Sequence, residues 1–354
     1  MRQDTIIMIA ATLSLPRTSV STIFDRLIAG TPLGAASAET LFGALVAGAL
    51  DEDQIAAMLL ALPVRAETAA EMTGAARALR AAAVPFPRPD YLFADSCGTG
   101  GDGSASINIS TAVAFVAAAA GLPVAKHGNR SVTSRCGSAD VLEQLGVRID
   151  VPADVSRAAL DEVGVCFLYA PAYHPGLRHA GPARRRLGVR TIMNLLGPCV
   201  NPAAPPVQIL GVADPLTLEP VAHTLAALGC THALVVHGSG LDEIALHAET
   251  KAIRVSHGNF AHITLDPDDA DIAKRPLSTV KGGGIEANAA GLAAALKGEG
   301  PPAHAEAIAL NAGALLMTAG LADSFAAGVV LAREQLRTGG PYDKLRQLAA
   351  ATNA

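Results

Sequence analysis

The chain has 354 residues, half of them hydrophobic (50%), which is enough for a large core in two domains or one large domain with an appendage. Aromatic residues supply only 3% and tryptophan is absent, so that core must be built from close-packed helices and small side chains, as in a helix-rich α/β protein. A net charge of −5 removes the broad positive field that binding to nucleic acid or a membrane surface requires, and points instead to a small-molecule substrate.

From Ser19 to Ala83 the pattern predicts successive amphipathic helices, with Gly30, Gly48 and Pro63 as stops and Asp51 and Glu67 near helix starts. Three prolines in Val84–Asp90 (VPFPRPD) favour extended structure and a hinge. The pattern then becomes strand (Tyr91–Ala94), glycine-rich turn, helix (Ile109–Ala120) and strand (Leu122–Ala125), a βαβ unit. Further strands are expected at Cys166–Tyr169, Val207–Val212 and Ala233–Val236, with a helix at Leu216–Leu228, and helices return at Glu286–Leu296, Ala303–Thr318 and Ser324–Leu336. The fold class is α/β: a small all-helical domain hinged to a large α/β domain with a central mixed, largely parallel sheet flanked by helices.

Five cysteines (Cys97, Cys136, Cys166, Cys199 and Cys230) with no C-x-x-C pair fit a reducing cytoplasm. The longest apolar run, Ala112–Ala125, is interrupted by Gly121 and Pro123 and falls short of a membrane span. Ile6–Leu15 imitates the apolar part of a signal peptide, but Asp4 interrupts the positive region and no cleavage site follows, so secretion is not expected.

Asp95–Thr111 (DSCGTGGDGSASINIST) places Gly98, Gly100, Gly101 and Gly103 between a strand and a helix. Bare backbone there can turn its N–H groups toward an anion, aided by the positive end of the helix; a tight turn capped by Asn108 or Ser110 is the plainer alternative. The next strand leads into Lys126, His127, Gly128, Asn129 and Arg130, followed by the hydroxyls of Ser131, Thr133 and Ser134. Those cations and donors suit phosphate at the exit of a sheet, while Ser138 reads as an N-cap. The adjacent acids Asp242 and Glu243 follow another strand, and with a phosphate ligand they suggest Mg²⁺. Arg178–Arg190 carries five arginines; Arg184, Arg185 and Arg186 point in different directions on a helix, so at most one or two can line a site.

Together GTGGD, NIST, KHGNR with GSADVLE, HPGLRHAGPARRRLGVRTIMNLLGPCVNP and GLDEI resemble the bacterial anthranilate phosphoribosyltransferases, with GGGIEANA and LNAGALL also similar, over about Leu27 to Leu348. The resemblance implies an N-terminal extension over 1–20, disordered or helical and without a family counterpart. It implies a helical domain over 21–90, joined by helices from about 175–205, and an α/β phosphoribosyl-binding domain over 91–354. It also implies a homodimer and a contact with anthranilate synthase, with no fused glutamine-amidotransferase domain. By motif, Gly98, Gly101, Asp102, Ser106, Asn108, Ser110, Thr111, Lys126, His127, Gly128, Asn129, Arg130, Ser131, Val132, Thr133, Ser134 and Ser138 would hold phosphoribosyl pyrophosphate. Gly98, Asn129 and Arg184 would meet anthranilate; Ser110, Asp242 and Glu243 would hold two Mg²⁺ ions; and Lys126, Asp242 and Glu243 would carry the catalysis. Two departures from the family pattern are Ser106, where threonine is usual, and Ser239, where an acid often precedes GLDE. The competing expectations are a pyrimidine nucleoside phosphorylase, which has no need of an acid pair for magnesium, and a non-catalytic nucleic-acid-binding relative.

Overall fold

The computed structural model describes residues 17–64, 66–131 and 136–354. Four helices come first among the described residues: α1 (Arg17–Ile28), α2 (Ala35–Val46), α3 (Glu52–Val64) and α4 (Ala69–Ala81). Arg17 to Val20 belong to the first helix, and residues 1–16 lie outside the described residues. Gly30 and Gly48, both at φ 70°, follow α1 and α2. Asp51 and Gln54 exchange side-chain and backbone hydrogen bonds at the start of α3. α3 ends one residue beyond Pro63, which sits in its last turn. Thr68 and Glu71 form a capping box on α4, and the fully buried Glu71 also accepts the Leu33 N–H at 2.8 Å, tying α4 to the start of α2.

The larger part alternates through β1 (Ala94–Gly98), α5 (Ile109–Ala119), β2 (Val124–Gly128), α6 (Ser138–Gln144), α7 (Ala153–Val163), β3 (Val165–Tyr169) and the short α8 (Ala170–Tyr173). It continues through α9 (Gly181–Leu187), α10 (Ile192–Cys199), β4 (Val207–Gly211), α11 (Leu218–Ala227) and β5 (His232–His237). A hairpin, β6 (Thr250–Ser256) and β7 (Asn259–Leu265), precedes α12 (Ile285–Leu296), α13 (Pro302–Thr318), α14 (Phe325–Thr338) and α15 (Gly340–Asn353). The hairpin, α7, α8 and α15 are additions to the elements expected from sequence.

The seven strands order as β3-β2-β1-β4-β5-β6-β7, parallel from β3 to β5 and antiparallel at β6 and β7. Two boundaries differ from expectation. The first strand starts at Ala94 instead of ending there, and the second starts at Val124 and ends at Gly128, so Asp95–Gly98 and Lys126–Gly128 are strand residues. Polar residues persist inside these buried strands because neighbouring strands and the segment after α10 satisfy them: Asp95 accepts the His127 N–H (3.3 Å) and the Asn201 Nδ2–H (2.9 Å), and Lys126 donates to Ser96 O (2.5 Å).

Side chains alternate between two cores. Ile209, Leu234 and Val236 face α5 and α12–α15; Leu210, Ala233 and Val235 face α10, α11 and the N-terminal helices. Glycine and alanine bring helices close: a Cβ on Gly328 would overlap the Gly313 backbone where α13 crosses α14. Val84–Asp90 is irregular and tied at three points, by Val84 N–H to Tyr173 O (2.8 Å), Arg157 to Pro87 O (2.8 Å) and Arg88 to Ala204 O (3.1 Å).

Candidate active site

At β1 and β4 the chain switches sides of the sheet: β2 and β3 extend one way and β5 to β7 the other. Ligands in open α/β sheets bind beyond the carboxyl ends of such a pair. Here those ends are Gly98 and Gly211, paired in register. The Asp242–Glu243 segment after β5 folds over both of them. A Cβ on Gly98 would overlap the Asp242 carboxylate, and one on Gly211 would overlap its backbone carbonyl, so only glycine allows the acids to reach this position.

The acids then engage the glycine-rich loop. Asp242 Oδ2 accepts the Gly100 N–H at 2.6 Å, and Glu243 Oε1 accepts the Ser110 N–H at 3.1 Å in the first turn of α5. The positive end of that helix favours the Glu243 charge. Lys126, 3% exposed, donates to Ser96 O and to Ser110 Oγ (3.3 Å). Burial and the nearby Asp102 push Asp242 up to about 7, while burial and Asp242 push Glu243 well above the carboxylate range against the pull of Lys126. Asp102 Oδ1 accepts from the Ser104 N–H and hydroxyl, and its buried Oδ2 has no partner. Ser110 Oγ and these carboxylates form a hard-oxygen donor set that suits Mg²⁺ completed by substrate phosphate and water. Among the described residues no cluster of three or more His, Cys, Asp or Glu side chains forms a closed metal cage.

Gly98, Gly101, Asp102, Ser106, Asn108, Ser110, Thr111, Lys126, His127, Gly128, Asn129, Arg130, Ser131 and Ser138 all line one cavity of about 350 Å³, together with Arg184, Asp242 and Glu243. Val132, Thr133 and Ser134 lie outside the described residues. Three details depart from expectation. Gly137, not Ser138, is the N-cap of α6; Asp140 accepts the Gly137 N–H, and Ser138 donates to Asn129 O. Neither Asn108 nor Ser110 caps α5 with its side chain; Asn108 Nδ2 donates to Cys136 O and Ser110 Oγ accepts from Lys126. The Arg130 guanidinium is paired with Asp140 and Glu143.

The far wall of the cavity comes from Leu79 and from His174, Leu177, Met193 and Asn194, the last four within the motif from His174 to Pro202 but given no role by it. His127 and His174 stack edge to face at 5.2 Å, and burial holds them down at about 3 and about 4, so both rings are neutral near pH 7. Of the three adjacent arginines only Arg184 reaches the cavity, and burial lowers its pKa; Arg186 instead pairs with Glu52 and Asp53 of α3. Arg190 donates to Gly101 O at 3.3 Å. One cavity therefore sets a cation, hydroxyls, paired acids and the neutral His127 ring at the sheet end against a half-buried arginine and the neutral His174 ring on the helical side.

Residues 21–83 match the helical bundle domain of the glycosyl transferase family, and residues 90–342 its a/b domain. An anthranilate phosphoribosyltransferase of Sorangium cellulosum is 57% identical over 328 residues, covering 93% of this chain and 94% of the relative. The chain belongs to the anthranilate phosphoribosyltransferase family. A member from Yersinia pseudotuberculosis is 48% identical over 93% of this chain and 98% of its own. The crystal structure of the family member from Thermus thermophilus superposes with a TM-score of 0.89 at 43% identity, covering 94% of this chain and 99% of that one. No helix among the described residues is long and apolar enough to cross a membrane.

Proposed function

We propose that the protein transfers the 5-phosphoribosyl group of phosphoribosyl pyrophosphate to the amine of anthranilate, in tryptophan biosynthesis. The ribose C1–O bond to pyrophosphate breaks, a C1–N bond forms, and the amine proton passes to solvent. The observation that carries this reading is the convergence of Lys126, Ser110, Asp242 and Glu243 on the end of β1 in a chain 57% identical to a relative of that name.

The donor's phosphates would occupy the loops Gly98–Thr111 and Lys126–Ser138, and the anthranilate carboxylate would meet Arg184 beside Gly98 and Asn129. His127, being neutral, contributes shape and hydrogen bonding to this site rather than charge. An aromatic amine is neutral near pH 7, so its lone pair attacks without a general base. Alignment of the two substrates and the Lys126 charge beside the leaving pyrophosphate supply the catalysis. Ser110, Asp242 and Glu243 would hold two Mg²⁺ ions, whose charge offsets that of the leaving group. Because the cavity lies between Leu79, Leu177 and Met193 on the helical side and the sheet end opposite, closure about Val84–Asp90 would narrow it and exclude water.

The family resemblance supports a homodimer through the helical domains. Cytoplasmic location and contact with the enzyme that supplies anthranilate complete the proposal. The test is loss of anthranilate fluorescence on adding phosphoribosyl pyrophosphate and Mg²⁺. Turnover that requires both additions supports the reading, whereas phosphate-dependent cleavage of pyrimidine nucleosides without it overturns it.

A further inference from the structure

The glycine run Lys281–Gly284 and the helix α12 behind it do not line the cavity, yet they are stitched to a loop that does. Ser106 and Lys281 form an antiparallel bridge, the Ile107 N–H donates to Val280 O (3.0 Å), and the Gly282 N–H donates to Ala105 O (2.8 Å). Ala105, at φ 50°, holds a left-handed conformation unusual for alanine, and the Gly282 bond fixes its carbonyl.

Behind this ladder lies Asn288, 4% exposed. Its Oδ1 accepts the Gly283 N–H at 2.6 Å, its Nδ2 donates to Asn108 Oδ1 at 3.0 Å, and Asn108 Nδ2 donates to Cys136 O at 3.2 Å. The backbone groups at the two ends fix every amide in the chain. A backbone N–H can only donate, so Asn288 must turn its oxygen to Gly283 and its nitrogen to Asn108. Asn108 must then present oxygen to Asn288 and nitrogen to Cys136 O, which can only accept. Gly282 leaves no room for a side chain: a Cβ there would stand 2.5 Å from Asn288 Oδ1 and 3.0 Å from Ser106 O.

The geometry points to Asn288 as a positioning residue for the donor-phosphate loop, orienting Asn108 and pinning Ala105–Asn108 from outside the cavity. This rests on the reading that the loop holds phosphoribosyl pyrophosphate. Asn288→Asp keeps the acceptor for Gly283 but sets a carboxylate oxygen against Asn108 Oδ1. The expected result is a KM for phosphoribosyl pyrophosphate raised about tenfold, with the KM for anthranilate changed less than about twofold. Magnesium pyrophosphate, titrated calorimetrically, should weaken in the same ratio as the donor.

Gly282→Ala disturbs the same contact from the opposite side and should give the same split; it decides the matter if Asn288→Asp does not fold. An unchanged donor KM in a folded variant, or equal rises in both KM values, overturns the inference. If the wild-type chain turns over no anthranilate, the functional reading fails, and Asn288 is then judged on pyrophosphate binding alone.

Discussion

Gly211 at the end of β4 and Asp242 on the segment after β5 occupy the same space: the Asp242 carbonyl passes where a Gly211 side chain would stand. Gly211→Ala must therefore lift the acid pair off the sheet end. The expected cost is about 1–3 kcal/mol of stability, with loss of the Mg²⁺ response of turnover. Thermal melts and a metal titration of the purified variant measure both, and an unaltered metal titration would contradict the placement.

Lys126 is a buried cation bonded to both β1 and Ser110. Lys126→Met should lower kcat by about 10²–10³ through lost stabilisation of the leaving group. Single-turnover kinetics at saturating substrates would isolate that step.

Arg184 is the only member of its arginine run that lines the cavity. Arg184→Gln should raise the KM for anthranilate roughly 10–100-fold, the scale of a lost charge-assisted hydrogen bond, and leave the donor KM near its original value. A selective rise in the donor KM would assign Arg184 to the other substrate.

Asp242 is held up to about 7 by burial and Asp102. In the metal-free protein this carboxyl favours its neutral form in the fold but ionises near pH 4 once unfolded. Its contribution is therefore greatest at low pH and is lost as pH rises from about 4 to about 7, at up to about 1.4 kcal/mol per unit. Protons also compete with metal for the same oxygens, so Mg²⁺ should raise Tm more at pH 8 than at pH 5.5. Asp242→Asn should flatten both dependences; differential scanning fluorimetry across that range is the check.

His174 moves stability in the opposite direction. Its ring is held down at about 4 by burial, against about 6.5 when unfolded. Acid therefore favours unfolding as pH falls from about 6.5 to about 4, by up to about 1.4 kcal/mol per unit. His174→Gln should reduce the acid slope of a urea-midpoint series, and an unchanged slope would count against a buried neutral ring.

Much of the site could be read along the chain because its parts are punctuated locally. Gly98, Gly100, Gly101 and Gly103 mark the approach of backbone to an anion, and Lys126 and Asp242–Glu243 each follow an apolar run. The strand limits were harder: Asp95 and Lys126 are polar residues inside fully buried strands, where no in–out alternation marks the boundary. The hairpin Thr250–Leu265 carries a legible signal in the two-residue turn His257-Gly258 between apolar-rich runs. The wall formed by Leu79, His174 and Met193 draws on segments about a hundred residues apart in the chain, and only the packing of the helical domain against the sheet brings them together.

The core facing the N-terminal helices runs without a break from Leu27 and Leu41 through Leu196 to Leu210 and Val235. The small helical domain is therefore no detachable module. Excised on its own, it would expose the apolar surface that α10 and α11 now cover, and those two helices, which pack on the sheet, would lose the partners on their outer side. The two domains should melt as a single cooperative unit, and any exchange of helical domains between relatives would have to carry the residues of α10 and α11 along with it.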